Sequence, residues 1–103
     1  MTRAEARSAL QRALDLSHEI VGTADGGDVR EIVRLDAERL RLLKLVRAAL
    51  EPLSPTDRSM LHTIADLNAR SVGRMEHRFR AKCRDMDMLS AGQRAVRAYA
   101  HHR

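Results

Sequence analysis

Aromatic side chains are almost missing from this sequence of 103 residues: it has no Trp, one Phe (Phe79) and one Tyr (Tyr99). Sheets pack their pleated faces with aromatic and β-branched residues, so a β-sandwich or barrel is excluded. A single cysteine, Cys83, excludes a disulfide-stapled scaffold. The only prolines, Pro52 and Pro55, lie together and leave long uninterrupted stretches on either side. No apolar run approaches the roughly 20 residues that a membrane span needs. The opening Met1-Thr-Arg-Ala-Glu-Ala-Arg7 has no continuous apolar stretch, so no secretory signal is expected.

What is present points to helices. Fifteen Ala, thirteen Leu, seventeen Arg, six Glu and two Lys make up 53 of the 103 residues. That share marks long helices when a period near 3.6 accompanies it. The expectation is one all-α domain over residues 1–103, soluble and cytoplasmic. The net charge is +5, with +1 in residues 1–50 (nine basic, eight acidic) and +4 in 51–103 (ten basic, six acidic).

Four helices are expected. The first spans about 3–21, with Ala6, Leu10, Ala13, Leu14, Ser17, Ile20 and Val21 on one face, and ends at Gly22 before the turn cluster Gly22–Gly27. The second spans about 28–50. Asp28 reads as its N-cap and Glu31 as the reciprocal partner of a capping box. Its apolar residues form two stripes: Val29, Ile32, Val33, Leu40, Leu43 and Leu50, then Leu35, Leu42, Leu45, Val46 and Ala49. Two apolar sides place it centrally, between two neighbours. Ser54, Pro55 and Asp57 open a third helix over about 55–89, with Leu61, Ile64, Asn68, Val72, Met75, Phe79, Cys83 and Met86 as its stripe. Ser90-Ala-Gly92 reads as a breaker before a short fourth helix over 93–101 carrying Val96 and Tyr99. The pattern predicts an antiparallel three-helix hairpin stack whose third helix overhangs beyond about residue 77 and exposes an apolar stripe.

Chemistry-bearing constellations are scarce. No Ser/His/Asp or Cys/His arrangement occupies a loop and no Gly-rich strand-to-helix turn occurs, so no enzyme is expected. His77, Cys83, Met86 and Met88, with His101 and His102, are soft ligand types. Cys83 and Met86 fall on a packing stripe, and no His pair stands at i, i+4, so neither a metal nor another cofactor is expected. Arg70, Arg74, Arg78 and Lys82 form a basic ladder at steps of four. It reads as a row paired with acids of the second helix such as Glu31 and Glu38, or as a surface for an acidic protein or a phosphate backbone. Helix-turn-helix spacing and stacking aromatics are lacking, which disfavours nucleic acid. A basic helical nucleic-acid-binding or regulatory protein is the alternative reading, and a self-associating coiled coil is another. Asp36 and Asn68 interrupt apolar stripes and are expected to face one another.

Several segments resemble one family. Leu35-Asp-Ala-Glu-Arg-Leu-Arg-Leu-Leu43, Pro52-Leu-Ser-Pro55, Ile64-Ala-Asp-Leu-Asn68 and Gly92-Gln-Arg-Ala-Val-Arg-Ala-Tyr99 are similar, in order and spacing over about residues 5–100, to the FliT-type flagellar export chaperones. The resemblance implies a small helical cytoplasmic protein that binds the filament-cap protein before its export by the flagellar type III apparatus. It also implies contacts with export-apparatus proteins in some members, and a C-terminal helix that folds over the binding surface. The expected partner-binding residues are Leu42, Val46, Leu67, Val72, Met75, Phe79 and Met86, with Val96 and Tyr99 on the covering tail. The expected client element is an amphipathic C-terminal segment of the cap protein, and the chaperone itself is expected to be a monomer or homodimer.

Overall fold

The computed structural model describes residues 1–101. It is all-α, with three helices: α1 (Arg3–Thr23), α2 (Val29–Ala49) and α3 (Pro55–His101). No helix among the described residues is long and apolar enough to cross a membrane. The molecule is a rod of 77 × 21 × 18 Å. Its length comes from α3, whose 47 residues span about 70 Å at 1.5 Å per residue.

Each helix start has a local cause. Thr2 caps α1, its hydroxyl accepting from the Glu5 amide at 3.1 Å. Asp28 caps α2 by accepting from the Arg30 amide at 3.0 Å. Glu31 does not complete the expected capping box. Its carboxylate turns to Arg34 (2.6 and 3.0 Å). The guanidinium one turn on offers two donors where the Asp28 amide offers one. At α3 the reciprocal box does form: the Asp57 amide donates to Ser54 Oγ (3.1 Å) and the Ser54 amide to Asp57 Oδ2 (3.0 Å).

Two further expectations fail. α3 runs through Ser90–Gly92 without a break, so there is no separate fourth helix. One glycine costs about 1 kcal/mol in a helix interior, and the flanking Ala, Gln and Arg are strong helix formers. The central helix is α1, not α2. α1 packs against both other helices, whereas no Cα of α2 comes within 8 Å of a Cα of α3 among the described residues. The reason is in the side chains of α1. Ala6, Ala9, Ala13 and Ser17 are small enough for close approach, and Leu10, Leu16 and Ile20 fill the space beside them, all buried. Only one stripe of α2 is buried, namely Ile32, Leu35, Arg39, Leu42 and Val46, and it faces this core.

Cross-links set the directions. Arg3, at the start of α1, meets the Pro52 carbonyl just past the end of α2, and Ser17 meets Arg39, so α1 and α2 are antiparallel. Arg7 meets Asp57 near the start of α3, while Arg74 and Arg78 meet the end of α1, so α3 runs parallel to α1. Past Cys83 every residue of α3 whose burial is described is exposed, and these last turns project beyond the other two helices.

Candidate functional site

The separation of α2 and α3 leaves a groove on the side away from α1. Three depressions follow one another along it. At one end lie Val29, Ile32, Met75, Arg78, Phe79 and Lys82. In the middle Leu40, Leu43, Leu61 and Ile64 face each other beside Asp36, Arg39 and Asn68. At the far end are Leu43, Val46, Leu53 and Leu61, rimmed by Arg47 and Glu51. The walls are largely apolar, and Val29 and Leu40 on the α2 side remain more than half exposed. Val29, Leu40 and Leu43 of the first α2 stripe, read in the sequence as packing on a neighbouring helix, form this open wall, while Ile32 and Leu50 of that stripe are buried.

A polar post crosses the groove. Arg39 is 7% exposed and reaches all three helices. It donates to Ser17 Oγ of α1 (3.3 Å), to Asp36 one turn back, and to Asn68 Oδ1 of α3 (2.9 Å). Ser17 in turn donates to the Ala13 carbonyl (2.8 Å). Asp36 and Asn68 therefore share one donor rather than bonding each other: both present acceptors, and the guanidinium lies between them. No buried side-chain nitrogen or oxygen among the described residues is left without a partner. The sequence reading missed Arg39. Its signal was the spacing of three and four residues through Ile32, Leu35, Arg39, Leu42 and Val46.

The expected partner-binding residues divide. Leu42, Val46 and Leu67 are core residues, and only an edge of Val46 reaches the groove. Met75 is half-buried at the end of the groove, and Val72 is partly exposed beside it. Phe79, Met86, Val96 and Tyr99 are exposed, at 65–73%. Phe79 marks the groove end, and the other three lie on the projecting part of α3. The tail does not fold back over the groove, because Gln93–His101 continue α3 outward.

The basic ladder also divides. α1 has no basic residue in its last turn, and α3 supplies the missing cations. Arg74 donates to the Val21 carbonyl (3.1 Å) and pairs with Asp25 (3.2 Å). Arg78 donates to the carbonyls of Ala24 (3.0 Å) and Gly27 (3.5 Å). A cation at a helix C-terminus answers the carbonyl end of the macrodipole. The acids expected to balance the row do not: Glu31 pairs with Arg34 and Glu38 with Arg12. Arg70 and Lys82 stay exposed.

Two carboxylates are electrostatically set. Hydrogen bonds from Ser54 hold Asp57 below the usual Asp range, and Arg7 and Arg3 add to this. Hydrogen bonds from Arg34 do the same for Glu31. Neither lies in the groove. Among the described residues no three His, Cys, Asp or Glu side chains converge on a point; His102 lies outside them. Comparisons with protein-family models, curated proteins and solved structures returned no match.

Proposed function

We propose that the chain is a cytoplasmic chaperone of the FliT type, which holds an amphipathic helix of the flagellar filament-cap protein before export. The observation that carries this reading is the groove between α2 and α3. Two antiparallel helices held apart by a third leave an apolar trough where a further helix fits, the geometry of helix-in-groove recognition. Arg39 and Asn68 at its centre give an incoming helix polar groups against which to set its register. Val29 and Phe79 extend the apolar wall at one end.

Arg74 and Arg78 supply guanidinium donors to α1 carbonyls. That favours a protein client over a phosphate backbone, which takes up many cations at once. Contacts with export-apparatus proteins fit the remaining exposed surface of the same reading. In it the C-terminal part of α3, with Val96 and Tyr99, regulates access to the groove.

The test is co-purification with the C-terminal segment of a flagellar cap protein. Capture by the wild-type chain, and loss of capture on Leu40→Glu with helicity retained, is the expected result. Capture that is unchanged by a charge in the middle of the groove counts against it.

A further inference from the structure

The projecting part of α3 carries a second pattern that the groove does not use. From Met75 the steps alternate four and three: Met75, Phe79, Lys82, Met86, Leu89, Gln93, Val96, Ala100. This is a 3.5-residue seam, the period that two helices keep when they wind about each other. The helix is continuous through all eight positions. Phe79, Met86, Leu89 and Val96 are each 65–70% exposed, and the last three lie on the projecting part of α3.

We propose that a second copy of this chain covers the seam, running antiparallel, in a register that places Phe79 against Val96 of the other copy. That one register also sets Met86 against Leu89, Met75 against Ala100, and Lys82 against Gln93. Each apolar seam residue meets an apolar one, and the two polar residues meet each other. Flanking charges agree: Glu76 faces Arg97 of the other copy, twice by symmetry.

A parallel in-register pair does worse on the same residues. It buries Lys82 against Lys82 and leaves no opposite charges across the seam. The term against the antiparallel pair is Asp85, whose two copies lie about 7.5 Å apart along the axis and remain in solvent. In this arrangement the end of one α3 arrives beside Met75 and Val29 of the other copy, where the groove begins. The C-terminal segment thus closes the groove's end in trans. The pairing stands on the seam alone and does not depend on the export reading, so loss of client binding leaves it intact.

The experiment is sedimentation of the full chain, joined to cysteine cross-linking in a Cys83→Ala background. A dimer at micromolar concentration is expected, and Leu89→Lys should give a monomer with unchanged helicity, since Leu89 is 67% exposed on the projecting part of α3. Phe79→Cys and Val96→Cys chains should cross-link to each other when mixed under mild oxidation, and neither should cross-link alone. A monomer at every concentration up to submillimolar overturns the proposal. So does efficient cross-linking of either variant with itself, or a cross-link within one chain carrying both cysteines.

Discussion

Arg39 of α2 donates to Asn68 of α3 across 2.9 Å, where the two helices otherwise keep their backbones apart. The same guanidinium holds Ser17 of α1 and Asp36, so one buried cation fixes the positions of three helices relative to the groove. Substituting Arg39→Ala leaves Asn68 and Ser17 short of a donor and opens a void. The expected loss is about 2 kcal/mol of unfolding free energy, from the donor lost at the buried Ser17 hydroxyl and the cavity left by the buried Arg39 stem, while exposed Asn68 turns to water. Asp36 adds little because it is more than half exposed. A double-mutant cycle of Arg39→Ala with Asn68→Ala, followed by urea denaturation, should give a coupling above the few tenths expected of independent sites. Additive losses would show the two residues to be independent.

Gly27 is the turn position that tolerates no side chain. A Cβ there would lie 2.1 Å from Thr23 Cγ2 and 2.8 Å from the Thr23 carbonyl oxygen. Gly27→Ala should therefore destabilise by about 1–3 kcal/mol, in the range of strained or overpacked sites. Gly73 and Gly92 have open space around them within α3. Alanine at either should stabilise by about 0.5–1 kcal/mol. Thermal melts of the three variants check the opposite signs.

Asp57 sets an acid limb. Its folded pKa is lowered, so its stabilising effect is present above the unfolded Asp value of about 3.9. It is lost as pH falls from that value through the folded one. Asp57→Asn should lower stability at neutral pH and flatten the decline below about pH 4. Chemical denaturation across acid pH reads both effects. An equally steep acid limb in the variant would assign that limb to other carboxylates.

Arg78 and Arg70 separate structural from surface cations. Arg78→Met removes the donor to Ala24 and Gly27 at the end of α1 and should cost about 1 kcal/mol. Arg70→Met, at an exposed position, should stay within about 0.5 kcal/mol. Equal effects in thermal melts would return the ladder to a simple charge row.

The extents of α1 and α2 and the start of α3 at Ser54, Pro55 and Asp57 were legible in the sequence because caps and apolar periodicity are local signals. Which helix is central was not. α1 buries Ala6, Ala9, Ala13 and Ser17, residues whose small size favours close packing but which register weakly as an apolar face. α2 shows two strong stripes, yet Val29 and Leu40 face an open groove. Arg39 was hidden by its charge, since a lone Arg among leucines reads as surface until its acceptors are known. Of the expected partner residues, Phe79, Met86, Val96 and Tyr99 do lie open, whereas Leu42, Val46 and Leu67 are needed for the core.

The central claim is that the α2–α3 groove receives an amphipathic helix of a flagellar cap protein, and calorimetric titration with that protein's C-terminal segment tests it most directly. The account predicts binding with a negative heat-capacity change, as apolar burial requires, weakened at least about tenfold (1.4 kcal/mol) by Leu40→Glu. No binding heat, or the same affinity for wild type and Leu40→Glu, would contradict it.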